Sequence, residues 1–150
     1  MKTYEQVRDI LSAIEPDEEM YHQLDREDLP HLQRLLHDVE PWRAARAVHA
    51  ASRLGTVGAQ ALVSGAVGDP RREVRAAVAM AAQWLPPQAG NPLLSALLDD
   101  ADGSIKKLAI KSVNMNSTPE LVAKVRTVSE ASDNTHLRNV AEHQLRLIRK

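Results

Sequence analysis

The residues of this 150-residue chain that could do chemistry are six histidines, His22, His31, His37, His49, His136 and His143, and several groups of acids. His136 and His143 lie seven apart, two helical turns, which puts both imidazoles on one helix face. A zinc site on a helix needs imidazoles at i and i+4 with a further ligand close by, as in H-E-x-x-H, and no such cluster occurs. Asp99, Asp100 and Asp102 have the spacing of a calcium loop's first ligands, but the later oxygens and the terminal Glu are missing. They read as capping acids of an inter-helix turn. Gly55-Thr56-Val57-Gly58 has no strand before it and no Gly-Lys-Ser/Thr after it, so it is a turn and not a phosphate loop. With no cysteine, thiolate catalysis, disulfides, zinc–thiolate sites and iron–sulfur clusters are excluded. No nucleophile–base motif of a hydrolase is present. The sequence predicts no enzyme, no metal and no cofactor, but a protein that works through its surface.

Composition says which elements carry that surface. Hydrophobic residues make up 43% of the chain and aromatic residues only 3%: Tyr4, Tyr21, Trp42 and Trp84, with no Phe. A core of Ala, Leu, Val and Ile points to close-packed helices and away from sandwiches and barrels. The formal charge of −1 hides an asymmetry. Residues 1–40 hold four Lys/Arg against eleven Asp/Glu, and residues 41–150 hold fifteen against nine. A near-neutral total argues against a dedicated nucleic-acid binder. No apolar run approaches the roughly 18 residues that span a bilayer, and Met1–Ile10 lacks a signal-peptide core. The expectation is a cytoplasmic protein with no membrane contact.

Helix punctuation recurs along the chain. Pro30, Pro41, Pro70, Pro92 and Pro119 sit where a first helical turn tolerates the missing N–H, and Asp69, Asn91 and Thr118 precede three of them as N-caps. Gly55, Gly58, Gly90 and Gly103, with Pro86-Pro87, mark breaks between helices. No segment alternates with a period of two, so no strand is predicted. Compared with itself, the sequence repeats every 31–32 residues: Asp69-Pro70-Arg71-Arg72-Glu73-Val74 matches Asp100-Ala101-Asp102-Gly103-Ser104-Ile105, and Asp133-Asn134-Thr135-His136-Leu137 follows. Upstream, Asp38-Val39-Glu40-Pro41-Trp42 fits one residue tighter, with Trp42 in the place of Val74. Each unit reads as helix, Asp-bearing turn, helix. Second helices bury Ala47, Val48, Ala51 and Leu54; Val74, Ala77, Val78 and Ala81; Ile105, Leu108, Ala109 and Val113; Leu137, Val140, Ala141 and Leu145. Isolated pairs cannot cover such faces, so the pairs must stack.

Asp69-Pro70 through Val74-Arg75-Ala76-Ala77-Val78 resembles the HEAT repeats, in particular the short bacterial HEAT-like repeats of phycobilisome lyase-like proteins. The predicted fold is all-α, a short right-handed α-solenoid of about four helical hairpins with an N-terminal helical cap. The units run over about 29–55, 58–86, 90–115 and 118–148, forming one continuous domain from 29 to 150, and the acidic residues 1–28 form the cap. The resemblance implies a structural ladder between turns, pairing Asp38 with Arg43, Asp69 with Arg75, Asp100 with Lys106 and Asp133 with Arg138.

Solenoids work by surface. Three ladders at the repeat spacing avoid the buried stripes: Ala45, Ala76, Lys107 and Asn139; His49, Met80, Lys111 and His143; Ser52, Gln83, Asn114 and Arg146. They predict a concave second-helix face, neutral at one end and basic at the other, suited to a protein partner with acidic character. The partner-binding residues are His49, Met80, Gln83, Lys107, Lys111, Asn114, Asn139, His143 and Arg146. Trp84, at a second-helix end before Pro86-Pro87, is either core, the preferred reading, or an exposed anchor. Lys106, Lys107, Lys111, Arg138 and Arg146 leave nucleic-acid binding open as an alternative, similar to the alkylpurine DNA glycosylases built on HEAT-like repeats. The related family's name alone suggests a lyase-like accessory role.

Overall fold

The computed structural model describes residues 1–149, which form ten α-helices and two short 3-10 segments with no strand. The helices are α1 (Tyr4–Ile10), α2 (Glu18–His22), α3 (Leu29–Leu35), α4 (Pro41–Ser52), α5 (Val57–Gly65), α6 (Arg72–Ala81), α7 (Pro87–Leu97), α8 (Gly103–Ser112), α9 (Pro119–Ala131) and α10 (Thr135–Ile148). Side-chain oxygens of Thr3, Asp17, Thr56, Asp102, Thr118 and Asn134 accept first-turn N–H groups, so most helix starts are capped locally. Gly55, at φ +71°, turns the chain out of α4 in a conformation a side chain would strain.

The helices stack in two layers. One layer runs α1, α3, α5, α7, α9; the other runs α4, α6, α8, α10, each packed on the next, which is a short α-solenoid. Between the layers, Leu32, Leu35, Val63, Leu94, Leu97 and Val125 meet Val48, Val74, Val78, Ile105 and Ala141 in one continuous core. Ala44, Ala47, Ala51, Ala77 and Ala81, all buried, let the second helices approach closely.

Local chemistry departs from the expected pattern at three places. Helix α7 starts at Pro87, not after Asn91, so Pro92 lies inside it and Gly90 is buried in its first turns instead of marking a break. A Cβ on Gly90 would stand 2.6 Å from the Ala82 carbonyl oxygen, so only glycine allows this approach. In α4 the buried stripe is Ala44, Ala47, Val48 and Ala51; Ala44 holds the place of Val74, and Trp42 turns outward. Ser52, expected on the outer face, is buried because its hydroxyl donates to the His49 carbonyl at 2.6 Å and needs no water.

The turns within successive pairs are tied by arginines. Asp69 does not cap α6; it accepts from the Arg71 N–H at 2.9 Å and from Arg71 Nε and Nη2 at 3.0 Å, and Arg71 is the capping residue. The same guanidinium reaches back one turn, to the carbonyls of Leu36 at 2.7 Å and Asp38 at 3.2 Å. Arg75 continues forward: Nη1 donates to the Asp69 carbonyl at 3.0 Å and Nε to the Asp100 carboxylate at 2.9 Å. Of the expected ladder pairs, Asp38 with Arg43 forms at 2.8 Å, and Arg75 meets Asp69 only through its backbone. Lys106 makes no ion pair with Asp100, and Arg138 donates to Ser132 O and Thr135 Oγ1 instead of to Asp133. Arg75 spans two turns because its guanidinium carries several donors, while Arg138 spends its donors on its own turn.

Candidate functional site

The outward face of α4, α6, α8 and α10 carries the residues singled out from the sequence. Met80, Gln83, Lys111, Asn114, Asn139, His143 and Arg146 are exposed there, Lys107 is half-buried, and Ala45, His49 and Ala76 are half-buried toward the α4 and α6 end. Among the described residues nothing pairs with Lys107, Lys111 or Arg146. The cations at this end face solvent. Arg138 does not join them, because its donors are used within its own turn.

At the other end the face deepens into a cleft of about 510 Å³ between α2, α4 and α6. Tyr21, Trp42, His49, Ala76 and Met80 form its mostly apolar lining, with Asp17, Glu18, Glu73, Arg46 and Arg53 among them. Trp84, expected in the core, is 49% exposed beside it; Met80 is 43% and Trp42 38% exposed. Isolated exposed apolar residues mean little, but Trp42 and Met80 line one cleft and Trp84 stacks on Arg53, another of its lining residues.

Arginines hold these aromatics in place. The Arg53 guanidinium lies 4.3 Å from the Trp84 ring centroid and 4.7 Å from that of Tyr21, so it is held between the two. Its Nη2 and Nε donate to the two Glu18 carboxylate oxygens at 2.6 and 3.1 Å, and Nη1 donates to the His49 carbonyl at 2.9 Å. Arg46 lies over Trp42 at 4.8 Å and donates to the carbonyls of Leu11, at 2.9 Å, and Ala13. Arg43 covers the same ring at 4.6 Å, which gives electrostatic compensation to its Nε, a buried nitrogen without a hydrogen-bond partner.

Titration follows from these contacts. Burial, with help from the Arg53 charge, depresses the His49 imidazole to about 4, so it is neutral near pH 7. Burial pushes the Tyr21 phenol up, and the Arg53 hydrogen bond holds Glu18 below the usual carboxylate range. No group of three or more His, Cys, Asp or Glu among the described residues is placed to hold a metal ion. None of the described helices is long and apolar enough to cross a membrane.

The pattern of the HEAT-repeat family matches residues 59–146, more than half of the chain and all of its last three helix pairs but the first two residues of α5 and the end of α10. The chain belongs to the HEAT-repeat family. The match is to these repeats in general and carries no lyase-like qualifier. No curated protein matches the chain. The first pair, α3–α4, lies outside the matched HEAT region, and it is the pair whose α4 stripe is shifted and whose outer face bears Trp42, Arg46 and Arg53.

The sequence reading located the second-helix face but missed Tyr21, Trp42, Arg46, Arg53 and Trp84 as its most structured part. One signal was present. Arg53 and Trp84 are separated by one repeat period, as are His49 and Met80, so the period alone makes them neighbours on adjoining second helices.

Proposed function

We propose that this HEAT-repeat chain is a non-enzymatic, cytoplasmic adaptor that holds a protein partner on the outward face of its second-helix layer. The observation that carries the reading is the juxtaposition of exposed Trp42, Met80 and Trp84 with the unpaired cations of α8 and α10 on that one face. Buried aromatic anchors supply most of the energy of protein interfaces, and charges around them steer encounter. His49, Met80 and Gln83 belong to the anchoring part. Lys107, Lys111, Asn114, Asn139, His143 and Arg146 belong to the part that meets acids of the partner. On the first-helix layer Lys124 is already engaged with Ser95 and Asp99, and the exposed Arg126 has no large exposed aromatic on its helix.

Site-specific photo-crosslinking in cell extract tests the assignment. A crosslinker at Met80 or Lys111 captures the partner, and one at Ala96 or Ala123, exposed on α7 and α9, does not. Capture confined to Ala96 and Ala123 overturns it. The triple change Lys107→Glu, Lys111→Glu and Arg146→Glu weakens capture at low salt, with the loss fading as screening shortens toward about 3 Å at 1 M. Arg126→Glu, on the outer face of α9, is the neutral control. Capture of an oligonucleotide with a steep salt dependence would instead make this a nucleic-acid surface.

A further inference from the structure

The cleft between α2, α4 and α6 has opposite charges on its two flanks. On the α2 side, Asp17 is exposed at the helix start and Glu18 faces Arg53. Glu73, exposed in the first turn of α6, makes no ion pair among the described residues. On the other side stands α8, packed directly on α6. Its Lys107 and Lys111 occupy the places that Ala76 and Met80, residues of the cleft lining, hold on α6. Between the flanks the lining is mostly apolar, and its two arginines are already committed: Arg53 to Glu18, and Arg46 to backbone carbonyls. His49, neutral near pH 7, adds no charge to the floor.

We infer that the cleft receives an extended peptide segment of a partner protein with a bulky aliphatic middle, a cationic end over Asp17 on α2, and an anionic end over Lys107 and Lys111 on α8. This rests on the second-helix face being the working surface and names the chemistry it recognises. A uniformly acidic segment would place a carboxylate against Asp17, and a uniformly basic one would place ammonium groups against Lys107 and Lys111. Each juxtaposition of like charges disfavours the wrong ligand, which is how electrostatics confers specificity. Helices packed about 8–10 Å apart make the path from α2 across α4 and α6 to α8 roughly 27 Å, about eight residues of extended chain. Apolar side chains of the middle would seat between Trp42 and Met80, whose exposed surface they cover.

Four synthetic ten-residue peptides test this on the full chain, each with the same Leu-Ile-Leu centre and no aromatic residue, so that Trp42 and Trp84 report binding by fluorescence. One carries lysines at one end and glutamates at the other; the others carry only lysines, only glutamates, or only serines. The bipolar peptide binds at least about tenfold more tightly than any of the three. In the Lys107→Glu, Lys111→Glu chain the preference passes to the all-lysine peptide. Equal affinities for all four, tightest binding of a uniformly charged peptide, or an absence of any fluorescence change overturns the inference. Crosslinks from Met80 and Lys111 can still report a partner on this face in that event, so the two readings fail separately. Circular dichroism of the Lys107→Glu, Lys111→Glu chain confirms that it remains folded, as exposed and half-buried positions allow.

Discussion

The two ends of this solenoid use their positive charge in opposite ways. In the first half, Arg43, Arg46, Arg53, Arg71 and Arg75 are each bound to carboxylates, carbonyls or aromatic faces. In the second half, Lys107, Lys111 and Arg146 meet nothing among the described residues. Among these named cations, the guanidiniums of the first half fasten helices together, and Lys107, Lys111 and Arg146 are left for a visitor. Net charge along a sequence does not separate them. The arginine fork favours the fastening role because it can satisfy several acceptors at once, but position also counts: Lys124 closes on Ser95 and Asp99 while Arg146 stays open.

That contrast concerns the edges and faces, not the core, and the largest perturbation should ignore it. Ile105→Ala, in the continuous core of α8, should cost about 2–5 kcal/mol in urea denaturation. A smaller loss would mean that the layers are not packed as one. Next in size, lowering the pH should weaken the first half selectively. His49 has its folded value depressed to about 4, so its contribution is complete above about 6.5 and is lost as pH falls from there toward 4. The loss is on the order of 2–3 kcal/mol. The groups facing that imidazole are Tyr21, Arg46, Arg53 and Glu18. Glu18, Asp38 and Asp69, also held low, add further losses as pH falls through and below the ordinary carboxylate range. Amide exchange at pH 4.5 should show α2 and α4 opening before α8 and α10, and His49→Gln should flatten the dependence. Simultaneous opening of both ends would break the comparison.

Arg71→Met removes the bonds to Asp69 and to the carbonyls of Leu36 and Asp38, and should cost about 1.5–3 kcal/mol. Lys111→Met, its counterpart at the open end, should stay within about 0.5 kcal/mol. If both melts shift equally, the arginines are no more structural than the lysines. A comparably small effect should come from Lys107→Glu, Lys111→Glu and Arg146→Glu together, for which a thermal melt should move by no more than about 2 °C.

Much of the fold could be read from period and stripe. In α6, Val74, Ala77, Val78 and Ala81 are buried as the 3.6-residue pattern predicts, together with Ala79, while Met80 is the one large apolar residue left outward. Asn91-Pro92 misled because it copies a cap followed by a first-turn proline, while Pro86-Pro87 does the same five residues earlier. The buried Gly90, which lets α7 lie against the Ala82 carbonyl, decides between them. Trp42 misled for a different reason: hydrophobicity placed it inward, but two arginines give its ring a polar outer partner. The cleft itself was hidden because α2 forms one wall. Nothing periodic links Glu18 or Tyr21 to Arg53; only the docking of a short helix outside the repeats brings them together.

The backward reach of Arg71 gives the molecule a direction in time. The carbonyls of Leu36 and Asp38 find their guanidinium partner only in a residue translated more than thirty positions later, and Arg75 waits a further 25 positions for Asp100. As the chain leaves the ribosome, the first hairpin's turn therefore gains these two carbonyl bonds only from the unit that follows it. A nascent chain halted at Pro70 already contains the whole first hairpin, yet it lacks the residue that closes that hairpin's turn.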